Sequence, residues 1–191
     1  MVLTATRPMP LGGEAPPFEL PEPLTGGTTG LSAVRGEQGT VVLFICNHCP
    51  YVLHVIDQLV EVAGDYGPRG IGFVAISSNS VDSHPQDGPE HMAVFATEHG
   101  LPFPYLYDED QSVARAYDAA CTPDIFVYDR DLRSVYRGRL DGSRPGNDVP
   151  VDGRDLRAAL EALLNGAAMP SPQLPSMGCN IKWKPGNEPA Q

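Results

Sequence analysis

The chain has 191 residues, with 24 acidic against 13 basic and a net charge of −11. That balance argues against nucleic acid or an anionic membrane surface as partner, and the length suits one domain with its own core. No apolar run approaches the ~20 residues of a membrane span and no signal-like leader precedes Leu11, so the expectation is a cytoplasmic protein. Residues 1 to 30 are rich in Pro and Gly, which predicts edge strands or loops: an extended Ala15 to Leu20, then the turn-rich Thr25 to Gly30. Val41-Val42-Leu43-Phe44-Ile45 has the composition of a strand covered on both faces. A helix is predicted over residues 50 to 66, with Val52, Val55, Ile56, Leu59 and Val60 on one side. Residues 71 to 76 repeat the buried-strand pattern, so the two strands are expected parallel across a right-handed crossover. A polar loop over 78 to 89, a helix over 90 to 99, a short strand over 104 to 107 and a short helix over 111 to 117 follow.

Next comes Cys121-Thr122-Pro123-Asp124-Ile125-Phe126-Val127-Tyr128-Asp129, an apolar strand opened by a proline that lacks a ladder donor. A turn over Asp129 to Arg133 leads to a return strand over Ser134 to Arg137, and a helix is expected over Asp152 to Leu164. Parallel strands followed by an antiparallel hairpin imply a mixed sheet with helices on its faces. The last stretch holds five prolines without helical period, and carries Cys179 and the single tryptophan, Trp183. We therefore read residues 1–165 as the domain and 166–191 as a Pro-rich tail packing on it.

The chemistry concentrates in Cys46-Asn47-His48-Cys49, where the strand gives way to the helix. Pro50 suits the first helical turn, so Cys49 falls at the helix start, where free N–H groups and the helix dipole favour thiolate. Thiols so placed reach pKa values of roughly 3.5–7.5, and the thiolate is the reactive form. Four cysteines are too few for a disulfide framework, so the pair reads as redox or metal chemistry. In the redox reading Cys49 attacks a substrate disulfide or oxidised sulfur, Cys46 resolves the mixed disulfide, and His48 stabilises the thiolate or passes a proton. Cys121 and Cys179 are alternative resolving thiols, Cys121 reading first as a small buried hydrophobe. A competing reading has Cys46, His48 and Cys49, joined by Cys121 or Cys179, capturing Cu(I) or Zn. Arg137 and Arg139 read as solvated, Tyr51 and His54 as half-buried helix positions, and Asp108-Glu109-Asp110 as a helix-capping turn. No cofactor or resident metal is called for.

The element order, the cysteine at a strand-to-helix junction and the Thr-Pro opening a later strand resemble the thioredoxin fold. With Gly13 to Leu20, Phe44 to Val52, Cys121 to Asp129 and Gly178 to Pro189, the chain resembles the peroxiredoxin-like branch of the alkyl hydroperoxide reductase/thiol-specific antioxidant (redoxin) family. The resemblance implies an α/β fold, a thioredoxin-like three-layer α/β/α sandwich with a mixed central sheet, an N-terminal hairpin extension and an extended C-terminal tail. It also implies a cis Thr122-Pro123 peptide facing the thiols, a thiol-disulfide or antioxidant role, disulfide or peroxide substrates, and a dithiol donor such as a thioredoxin system. Two departures stand out. Where thioredoxins place a second thiol after the nucleophile, this chain has Val52, and where peroxiredoxins carry P-x-x-x-T-x-x-C it has Val42, Cys46 and Cys49.

Overall fold

A computed structural model of the chain describes residues 3–189. In chain order it contains β1 (Leu3–Ala5), β2 (Glu19–Glu22), β3 (Gly27–Gly30), α1 (Leu31–Val34), β4 (Gly39–Phe44), α2 (Pro50–Tyr66) and β5 (Ile71–Ser77). There follow α3 (Pro89–Glu98), β6 (Tyr105–Tyr107), α4 (Ser112–Ala116), β7 (Cys121–Thr122), β8 (Asp124–Asp129), β9 (Ser134–Gly138), α5 (Arg154–Leu164) and β10 (Met177–Asn180). The predicted strands and helices appear with ends displaced by a few residues at most.

The central sheet has five strands in the order β6-β5-β4-β8-β9. β4 pairs with β5 in parallel and with β8 antiparallel, so the sheet is mixed. Alternation along β4 divides the core. Val41 and Leu43 point to a layer that includes Ile56, Leu59, Met92, Phe95, Leu156 and Leu160 of α2, α3 and α5. Val42 and Phe44 point the other way, to Phe18, Leu20, Leu31, Val34, Val113 and Tyr117 from the N-terminal hairpin, α1 and α4. Both faces of β4 are thus covered, which is why its sequence is uniformly apolar. This three-layer arrangement is the thioredoxin fold, with β2 and β3 as its N-terminal hairpin.

As expected, the apolar strand opens at the proline: β8 begins at Asp124 and Thr122-Pro123 is cis, while β7, just before it, belongs to a different sheet. The C-terminal stretch contributes a strand. β10 pairs antiparallel with β1 (Cys179 opposite Leu3) and with β7 (Cys179 opposite Thr122). This small sheet needs a glycine beside Cys179, because a Cβ at Gly178 would stand 2.0 Å from the Thr122 carbonyl oxygen. Among the described residues no helix is long and apolar enough to cross a membrane.

Candidate active site

The thiols gather beyond the C-terminal end of β4, the edge where open α/β sheets place their ligands. Pro50 occupies the first turn of α2 and Cys49 is the residue that caps its N-terminus, with extended backbone (φ −71°, ψ 120°). Cys49 Sγ lies 3.2 Å from the Thr122 carbonyl oxygen and 2.9 Å from Cys179 Sγ, with all four cysteines free. Two segments far apart in sequence, the cis-proline turn and the tail strand, therefore close on one sulfur. Cys49 is 0% exposed and Cys179 1%.

Cys46 stands on the other side of the loop. Its Sγ is 3.4 Å from Thr122 Oγ1 and 4.0 Å from His48 Nδ1. The loop itself is gripped by Asp87, a 0% exposed carboxylate from the turn before α3. Asp87 Oδ1 accepts the backbone N–H of Asn47 at 3.0 Å and of His48 at 3.4 Å. Asp87 Oδ2 accepts Asn79 Nδ2–H at 2.8 Å and lies 2.7 Å from His48 Nδ1, whose N–H a carboxylate requires as donor. His84 stacks on the His48 ring, centroids 5.0 Å apart.

These surroundings separate the thiols electrostatically. The Cys46 thiol contributes most to stabilising the Cys49 thiolate; burial opposes it, and Cys179 and Thr122 add to the stabilisation, so Cys49 is pulled down to about 4. Cys46 is held well above the ordinary thiol range by its interaction with Cys49, by burial and by the Asp87 charge. Cys179 is pushed up to about 12, first by burial and then by Cys49. One thiolate flanked by two protonated thiols is the stable arrangement. While protonated, Cys49 donates to the Thr122 carbonyl; once ionised, it accepts from the neighbouring S–H groups.

Among the other candidate residues, Pro123 follows the contact carbonyl. Cys121 Sγ turns away to its own neighbourhood, 3.5 Å from the Pro123 carbonyl oxygen, and burial raises it strongly. His54 Nε2 is 2.8 Å from Ser143 Oγ. Asp108 caps α4 as expected, accepting the N–H of Val113 and Ala114. Arg137, read as solvated, is buried: it pairs with buried Asp124 at 3.0 Å and lies over the Phe126 ring. The apolar strand β9 carries it inward, and a charge there requires the partner that Asp124 supplies. For a metal, the clustered donors among the described residues are Cys46, His48 and Asp87, all within 4.8 Å, so Asp87 takes the place given to Cys49 in the sequence reading. Its oxygens are already committed to four N–H groups. Asp87 lay outside the sequence reading. The only signal for it was its place in a loop that follows the C-terminal end of a parallel strand.

Comparison with known proteins agrees with this geometry. Residues 11–136 match the model of the AhpC/TSA family. A crystal structure of an uncharacterized conserved protein from Geobacillus kaustophilus is 54% identical with TM-score 0.95, covering 97% of this chain and 98% of that one. A Mycobacterium tuberculosis protein named "Putative peroxiredoxin" is 30% identical over 61% of this chain and 69% of its own length. The structure of "a putative Thiol:disulfide interchange protein DsbE" from Chlorobium tepidum, 21% identical at TM-score 0.62 over 82% of this chain and 99% of that one, shares the fold.

Proposed function

As this chain belongs to the AhpC/TSA family, a family of oxidoreductases, we propose that it is a thiol-disulfide oxidoreductase in which Cys49 is the nucleophile. The observation that carries the reading is a sulfur at a helix N-terminus, pulled down to about 4, with a second thiol 2.9 Å away. Cys49 thiolate attacks a substrate disulfide, whose distal half leaves as thiolate and takes up a proton. A neighbouring thiol then loses its proton and attacks Cys49 Sγ, expelling the second half and leaving an intramolecular disulfide. Contact favours Cys179 for that step over Cys46, the first choice from sequence spacing. An external dithiol donor, such as a thioredoxin system, would reduce that disulfide and restore the two thiols.

Peroxide reduction at the same Cys49 is the second reading, favoured by the name of the mycobacterial relative. Against it, the threonine position of the peroxiredoxin motif is Cys46. The direct partners of Cys49 Sγ among the described residues are a carbonyl and a thiol, with no guanidinium to polarise a peroxide. The discriminating experiment is non-reducing peptide mapping after one equivalent of oxidant, on wild type and on Cys46→Ser, Cys49→Ser and Cys179→Ser. The expected result is a Cys49–Cys179 bond in wild type, a trapped mixed disulfide on Cys49 in Cys179→Ser, and no turnover in Cys49→Ser. A Cys46–Cys49 bond would return resolution to Cys46. Rapid peroxide consumption with a sulfenic acid at Cys49 would make the second reading the correct one.

A further inference from the structure

A cavity of about 120 Å³ is lined by residues of the segments that carry the reactive thiols, though by none of the cysteines themselves. Its wall includes Tyr51, Pro123 and Met177, which stand within two residues of Cys49, Thr122 and Cys179 respectively. The three segments that close on Cys49 thus also enclose this space. Its far side is polar, formed by Arg139, Asp141, Ser143 and Arg144. Three of these are already engaged. Arg139 Nε donates to Asp155 at 2.6 Å, and Ser143 Oγ is shared between His54 and the Val149 carbonyl. The Asp141 carboxylate accepts the N–H groups of Ser143, Asp152 and Gly153 at 2.7–2.8 Å. Arg144 differs: its Nη1 donates only to the Met177 thioether at 3.3 Å, a weak acceptor, and it pairs with no carboxylate among the described residues. Arg144 is exposed, so its guanidinium stands in solvent at the rim of the cavity with no protein carboxylate competing for it among the described residues, and it can receive an anion there.

We propose that this cavity is the substrate subsite of the thiol centre and that it takes one arm of a small disulfide bearing a carboxylate, with Arg144 holding that carboxylate. The proposal rests on the thiol-exchange reading. Size supports it: a cavity of about 120 Å³ has room for several waters and so for a short carboxyalkyl arm. Sulfurs 0–1% exposed are reached more readily by a small molecule than by a protein disulfide. The steps balance as follows. Cys49 thiolate forms a bond to the sulfur of the held arm, the substrate S–S bond breaks, and the free arm departs as a thiolate that is protonated by solvent. Cys179, losing its proton, then bonds to Cys49 Sγ and expels the held arm as a second thiol. Two protein thiols have been oxidised and one disulfide reduced.

The test compares three disulfides with the reduced protein at fixed ionic strength near 0.15 M: anionic 3,3′-dithiodipropionate, neutral bis(2-hydroxyethyl) disulfide and cationic cystamine. Net charge alone would rank the cation first, so the predicted order is diagnostic. The anionic compound should react about tenfold faster than the neutral one in wild type. In Arg144→Gln that ratio should fall to about one, and in Arg144→Lys it should recover in part, because a point charge lacks the bidentate fork. Equal rates for anionic and neutral compounds in wild type, or a ratio unchanged in Arg144→Gln, would overturn the subsite while leaving the exchange reading intact. Failure of the reduced protein to react with any of the three would overturn both.

Discussion

Cys49 and Cys46 are three residues apart, yet their environments drive them in opposite directions, and this asymmetry can be measured. Iodoacetamide alkylation at Cys49 should follow a thiolate that is nearly complete at pH 6 and titrates near pH 4. At pH 3 about a tenth of the plateau rate should remain. Site-resolved mass spectrometry of short alkylation pulses would show this, and a midpoint near 8.5 would refute it. Asp87 maintains the difference from the other side, since its charge is one of the causes that keep Cys46 protonated. Asp87→Asn removes that charge and turns an amide NH2 toward groups that are themselves donors. It should raise the alkylation rate of Cys46 at pH 9 and cost about 1–3 kcal/mol of stability, read by site-resolved alkylation and thermal unfolding. The cysteine positions were legible in the sequence because a thiol pair at a strand-to-helix junction has one obvious chemistry. Asp87 was not legible, because an aspartate in a polar loop has no periodic pattern, and only the fold brings it beneath residues 47 and 48. Arg137 shows the same blindness in reverse: nothing in Tyr136-Arg137-Gly138 says that the guanidinium turns inward onto Asp124.

Secondary-structure elements decide which thiols meet. The β4-α2-β5 unit follows from uniform apolar strands, a proline at the first helical turn and a 3.6-residue period, so its outline was available from the sequence. β10 was not. Its four residues, Met177 to Asn180, have neither alternation nor β-branched side chains, and the strand exists because two partners flank it. Its closeness to β7 depends on Gly178, whose missing side chain leaves room for the rigid Thr122 backbone. Gly178→Ala should therefore push β10 away, separating Cys179 from Cys49, and should slow formation of the Cys49–Cys179 bond at least tenfold while the first attack by Cys49 persists. Quenched-flow trapping of the mixed disulfide would reveal this as accumulation of the intermediate. An unchanged rate of bond closure would mean that β10 does not set the sulfur separation. Asp124→Ala, by contrast, acts on the core: it leaves the buried Arg137 charge with only the exposed Asp118 carboxylate, at 3.6 Å, and should cost about 3 kcal/mol in denaturant unfolding.

At the scale of the whole molecule, the redox state and the fold become linked. A Cys49–Cys179 bond closes a loop between positions 130 residues apart, which in the chain-entropy model stabilises the oxidised form by about 5 kcal/mol. The reduced form has its own stabilisation. Because the folded Cys49 thiol is pulled down to about 4 from an unfolded value near 8.5, folding is favoured wherever the native state is ionised and the unfolded state is not. That contribution is full above the unfolded value and is lost as pH falls toward 4. At pH 7 it amounts to about 4 kcal/mol, at 1.36 kcal/mol for each of the three units between 4 and 7. At pH 5 only about 1 kcal/mol of it remains. The raised thiols Cys46 and Cys179 do not enter, because both are protonated in folded and unfolded chains across this window. Reduced and oxidised protein should then be within about 1 kcal/mol of each other at pH 7. At pH 5 the oxidised form should lead by about 3–4 kcal/mol, on the order of 6–15 °C in Tm for a chain of this size. Carboxylates that titrate between pH 7 and 5 act on both forms alike, so the difference between the two melting curves isolates Cys49. Parallel thermal melts of dithiol-reduced and oxidised protein at the two pH values provide the measurement. A gap that stays constant or narrows as pH falls would show that Cys49 is not the thiolate of the reduced state, and Cys179→Ser, unable to form the bond, should show no gap at either pH.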